Sequence, residues 1–267
     1  MLKKLMKHEF RATLRVMAPV YLLLLATSVG ARFSISGLLE TDSGLLDLLG
    51  GLLVVAFAVT MAAVCLLTAF LMVYRFYQNL LRDEGYVMMT LPVSVHQQVW
   101  SKLLVGVVWC VVTAIAVGAA LVILVMDLDM LEGIRRFGGE VWAFLRSEYG
   151  FDGVLVLVEL AVLCVVAVCS TYLEFYCALA IGHSRPNHKL VWSIAAYFGM
   201  DILFTLVGAP LLELVNATGI FDRMDLSISA SQGIHMGLWV ATLVSALTAA
   251  VYYALTTWFL KNRLNLE

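Results

Sequence analysis

Asp201 stands in the middle of an apolar stretch, with eleven uncharged residues on either side. Glu159 and Glu174 lie in another such stretch, Glu174 between Tyr172 and Tyr176. On insertion scales an acid at the centre of a membrane helix costs about 2.5–3.5 kcal/mol. The surrounding Leu, Ile and Phe must outweigh that, and the acid is expected to face the protein interior or a wet cavity. Two kinds of chemistry follow. Asp201, Glu174 and Glu159 are candidates for a polar lining along a translocation path. The plainer reading makes each carboxylate a structural acceptor for a Ser, Thr or Tyr hydroxyl on a neighbouring helix. Glu174 and Glu159 lie towards opposite ends of their stretch, where a side chain can reach back to water.

Other chemistries lack their residues. His8-Glu9 has no second His four positions after the first, so it is no zinc-protease motif. There is no GxxxxGK[ST] loop, so the chain does not bind ATP by that device, and no GxSxG elbow. The five cysteines (Cys65, Cys110, Cys164, Cys169 and Cys177) all fall in apolar runs with no CxxC spacing and read as packing residues. No catalytic role, metal site or cofactor is expected on this chain. The net charge of −2 comes with no basic patch beyond the flanks of the apolar runs, so no nucleic-acid partner is expected.

The elements that hold these residues follow from composition. The chain has 267 residues, 62% hydrophobic and 13% charged, where a soluble domain carries about 25% charged. The bilayer core is about 30 Å thick, so a helix crosses it with roughly 20 apolar residues. Charge-poor runs of that length predict six spans, at about 16–32, 48–78, 98–126, 153–182, 190–212 and 236–260. The fold class is an all-α integral membrane protein, a single transmembrane domain over 1–267. Pro19 falls near the start of the first span, where its missing N–H is tolerated. LLLLATSVGA, from Leu22 to Ala31, ends in small residues, but the charged segment before it is too long for a leader's n-region, so no cleavage is expected.

Lys and Arg in the short loops set the orientation. With both termini in the cytoplasm, twelve fall inside and five outside (Arg32, Arg135, Arg136, Arg146 and Arg223). Before the first span, Leu2, Leu5, Met6, Phe10 and Leu14 recur at helical spacing with Lys3, Lys4, Lys7, His8 and Arg11 on the other faces. That pattern predicts an N-terminal interfacial amphipathic helix, its stripe in acyl chains and its lysines near anionic head groups. Leu131 to Gly150 carries a similar stripe and predicts an external interfacial helix. Gly208 to Phe221, semi-apolar with helix breakers at both ends, is a candidate re-entrant segment.

Between spans two and three the chain reads RFYQNLLRDEGYVMMTLPVSVHQQVWSKLL, Arg75 to Leu104. Asp83 and Glu84 suit a helix N-terminus, and Gly85 permits a sharp bend. Tyr86, Val87, Met88, Met89 and Leu91 form an apolar patch too short to span anything, and Pro92 stops it. Ser94 with Gln97 three residues on forms a capping box for the next helix. A short cytoplasmic helix is expected here, with an exposed patch of the kind that marks a protein partner.

This stretch resembles the region after the second span in ABC type-2 exporter permeases of Gram-positive bacteria. There a phrase of the form DEGY…TLPVS…Q…SKLL joins spans two and three. The resemblance implies the membrane subunit of an ATP-driven exporter in a bacterial cell membrane, pairing with a second permease copy or paralogue and with two ATP-binding subunits that carry ATP and Mg. It also implies that Asp83–Leu91 is the coupling helix docking on the ATPase, with Leu2–Leu14 beside it, and that peptides, drugs or other amphiphiles are the substrates. The residues alone are equally compatible with a stand-alone six-span channel, carrier or membrane sensor.

Overall fold

An apolar run longer than about 20 residues satisfies its backbone in lipid only by closing every hydrogen bond within itself, which an α-helix does. The computed structural model describes residues 2–35, 44–82, 85, 90, 93–125, 128–149, 152–217 and 230–263. Among these are seven α-helices and no strand: α1 (Leu2–Phe33), α2 (Gly44–Leu81), α3 (Val95–Leu124), α4 (Leu128–Tyr149), α5 (Asp152–Gly182), α6 (Lys189–Ala217) and α7 (Ala230–Asn262). All but α4 are long and apolar enough to cross a bilayer. The chain is a multi-pass membrane protein.

Two boundaries differ from the sequence reading. The N-terminal amphipathic stretch and the first span are one unbroken helix, α1, with Pro19 in its interior and not at its start. Proline there removes one backbone bond, which a membrane helix tolerates where neighbours or water meet the freed carbonyl. Gly208 to Ala217 does not fold back: α6 continues through Pro210 to Ala217, and the remainder of the expected re-entrant segment lies outside the described residues. The stretch expected to be an external interfacial helix is helical, as α4.

The chain divides into two compact units, residues 1–74 with 100–143 and residues 75–99 with 144–267. In the first, Leu24 and Ala31 of α1, Phe57 and Val64 of α2 and Ala120 of α3 form the buried core. Lipid removes the hydrophobic drive between helices, so small residues and interhelical hydrogen bonds must help hold them. The Tyr21 hydroxyl meets Thr113 at 2.7 Å, Thr113 meets Thr68 at 2.9 Å, and Thr27 meets Thr60 at 2.8 Å. These hydroxyls tie α1 to α2 and both to α3.

In the second unit α5 packs against α7 and α6. Ser170 and Thr248 join α5 to α7 at 3.1 Å, and Phe175 stacks on Tyr197 of α6 at 5.0 Å between centroids. Tyr176 of α5 stacks on Phe76, 3.9 Å away and nearly parallel. The α5–α6 turn demands glycine at 182, where a Cβ would collide with the Ser193 hydroxyl and lie 2.6 Å from the Lys189 carbonyl oxygen and the Ser193 nitrogen. His188 closes the turn at φ 54°, in the left-handed region, and its carbonyl accepts the Trp192 N–H at 3.1 Å. Arg185 lies over the Trp192 ring at 5.1 Å.

Candidate functional site

The stretch between α2 and α3 is built on packed ends. Phe76, Asn79, Leu80 and Leu81 at the end of α2 are buried, as are Gln98 and Val99 at the start of α3. Ser94 caps α3 as its spacing predicts, its hydroxyl accepting the Gln97 N–H at 3.3 Å and its carbonyl the Gln98 N–H at 3.2 Å. Gly85 is buried and donates its N–H to the Arg82 carbonyl at 2.7 Å. The other expected coupling residues, Asp83, Glu84, Tyr86, Val87, Met88, Met89 and Leu91, lie outside the described residues.

Along the N-terminal half of α1, Leu2, Leu5, Met6 and Phe10 are half-buried and Leu14 is exposed. The innermost groups here are polar. Glu9 and Lys102 of α3 form an ion pair at 2.7 Å with side chains only 5% and 6% exposed. One turn further along, the Trp109 indole N–H donates to the Thr13 hydroxyl at 2.7 Å, and Phe10 stacks on Trp109 at 4.9 Å. Neither Glu9 nor Lys102 was singled out from the sequence. The signal was present: Glu9 is the one acid in the basic stretch before residue 16, and Lys102 the last charge before a 24-residue apolar run.

The three membrane-depth acids are placed differently. Glu159 is half-buried between α5 and α7, where its carboxylate accepts from the Trp239 indole at 2.8 Å and from His235 Nδ1 at 2.7 Å. Its partners are therefore a Trp and a His, and not the Ser, Thr or Tyr expected.

Glu174 is half-buried, within electrostatic reach of Asp201 on α6. Tyr197 and Tyr252 of α7 are in reach of both acids. By helical rise Glu174 and Tyr197 lie about 12 Å, and Asp201 about 18 Å, from the helix ends at the α5–α6 turn. Acceptors and phenols from three helices thus share one depth band. Asp201 itself corrects the expectation that it faces inward, because its side chain is exposed on α6. The inward row is Ser193, Ala196, Tyr197 and Met200, and one residue beyond Met200 turns about 100° away from it.

Outside the spans, His183 in the α5–α6 turn is 3% exposed, edge-on to Tyr77, with Nδ1 2.9 Å from the Leu179 carbonyl. Burial holds its imidazole below the usual pKa, the Leu179 hydrogen bond opposes that, and the nearby Lys189 charge adds to it. Among the described residues no group of three or more His, Cys, Asp or Glu side chains is placed to hold a metal ion. No family model matches the chain, and no curated protein or solved structure matches it either.

Proposed function

We propose that this chain is the membrane subunit of an ATP-driven exporter in a bacterial cell membrane, forming half of a translocation path with a second permease copy or paralogue. It is not itself catalytic. ATP and Mg are held by two separate ATP-binding subunits, and the connection between α2 and α3 is where they dock. The substrate is an amphiphile, such as a peptide, a drug or a lipid-like molecule, and the band of Glu174, Asp201, Tyr197 and Tyr252 faces its route. Both chain termini lie in the cytoplasm, on the side of the ATPases.

The observation that carries this reading is the packing of the helix ends on either side of that connection. Buried side chains at the end of α2 and the start of α3, the buried Gly85 and the Ser94 cap fix the two ends of the connection against their surroundings. A movement imposed on such a connection passes into the helices, whereas a loose loop would absorb it. The resemblance of Arg75–Leu104 to exporter permeases adds the identity of what pushes.

The test is co-expression with the ATP-binding subunit that this reading requires, sought in an adjacent reading frame. Met88→Asp with Met89→Asp places charges where an apolar patch must enter a partner groove, and a buried unpaired charge is strongly unfavourable. The double variant should insert with six spans yet lose both co-purification with the ATPase and stimulated ATP hydrolysis. A tight, active complex formed by that variant would remove the docking role and favour a stand-alone channel, carrier or sensor.

A further inference from the structure

Beside the Glu9–Lys102 pair, on the outer side of the same helix, α1 and α3 enclose a groove of about 540 Å³. That is within the range of about 300–1,000 Å³ in which small molecules are held. Its rim is cationic. Lys3, Lys7 and Arg11 recur every four residues and form one row on α1. All three are exposed, and none makes an ion pair or hydrogen bond among the described residues. Its floor is apolar: Met6, Phe10 and Leu14 from α1, Val105 and Val108 from α3.

We infer that this groove binds one anionic phospholipid, its phosphate against Lys3, Lys7 and Arg11 and one acyl chain along the apolar floor. Charge and position select this occupant. The groove lies where the basic end of α1 meets the start of the apolar run of α3, the level at which a bilayer presents phosphates above acyl chains. A soluble anion would use the rim and leave the floor wet; a zwitterionic lipid brings a phosphate together with its own ammonium, which offsets the attraction of the three cations. An anionic amphiphile uses both rim and floor with no such offset.

The floor is also held in shape. The Phe10–Trp109 stack fixes one wall, and the Trp109–Thr13 hydrogen bond and Glu9–Lys102 pair clamp α1 to α3 behind it. The site therefore exists before lipid arrives, which lowers the ordering cost of binding. This assignment is independent of any ATPase partner.

Native mass spectrometry of the full chain in detergent, titrated with dioleoyl phosphatidylglycerol or dioleoyl phosphatidylcholine, tests it. The parent chain should retain one phosphatidylglycerol in preference to phosphatidylcholine. Lys7→Gln with Arg11→Gln should weaken that retention roughly thirtyfold. Lys4→Gln with Arg15→Gln removes two charges from the same helix that do not line the groove, and should leave retention unchanged. Val108→Trp, at an exposed position, fills the floor without touching a charge and should also weaken it.

Equal losses from the two charge pairs would show diffuse attraction and overturn the site. So would equal retention of the two lipids. Displacement of the lipid by millimolar inorganic phosphate, with Val108→Trp inert, would make it a free-anion site and overturn the lipid assignment. Melting curves without added lipid check that each variant is folded.

Discussion

The Glu9 carboxylate and the Lys102 ammonium, 93 positions apart in sequence, meet at 2.7 Å with both side chains almost wholly buried. Such a pair is weak evidence of net stability, because the attraction roughly offsets the cost of desolvating two charges. Removing one member is another matter. The survivor stays buried without its counter-charge, so Glu9→Gln or Lys102→Met alone should cost about 3–5 kcal/mol. Replacing both, as Glu9→Leu with Lys102→Met, should recover most of that loss. Thermal melts of the four proteins in one detergent give the coupling, and additive losses would show that the two groups act independently.

His183 supplies a pH dependence of known sign. Its folded-state pKa is lowered, chiefly by burial, so as pH falls below the ordinary value near 6.5 the unfolded chain takes up the proton first. Stability is therefore fully present above about pH 6.5 and declines as pH drops towards the lowered folded value. Melting temperatures of the parent chain and His183→Asn, measured from pH 7.5 to 5.5, isolate this group from the other four histidines. The parent should lose more stability than the variant over that interval, and parallel curves would remove the effect.

The spans were legible because length and apolarity alone decide them: a run such as Leu48–Tyr74 has no soluble alternative. Ser94 was legible as a cap because the signal is local, a hydroxyl placed at a helix start. The continuity of α1 was not. Basic residues from Lys3 to Arg15 look like a separate interfacial helix, and the burial of Glu9 against Lys102 depends on an α3 that sequence distance hides. Glu159 failed for a similar reason, since the charge pattern names the acid but not its partners His235 and Trp239, 76 and 80 positions away. Asp201 failed on direction, because α6 has almost no hydrophobic periodicity from which to tell an inner from an outer face.

That outward direction frames the last prediction. An exposed Asp in mid-span, flanked by exposed Ile202, Leu203 and Phe204, meets either lipid or another protein surface. Lipid contact costs several kcal/mol and is rarely kept without a use. Asp201→Leu removes that cost and breaks no side-chain hydrogen bond among the described residues, because the Thr205 hydroxyl bonds to the Asp201 carbonyl and not to its carboxylate. The variant should therefore insert and melt at least as well as the parent. If the chain is the exporter subunit proposed, the variant should bind the ATPase normally yet transport poorly, because the depth band has lost one of its two acids. Asp201→Asn, which keeps the hydrogen-bonding shape and removes only the charge, separates the two uses of the group. Transport lost in both variants assigns the role to the negative charge. Transport kept in Asn and lost in Leu assigns it to hydrogen bonding across an interface. Full transport in both, with normal assembly, would leave Asp201 no part in the path.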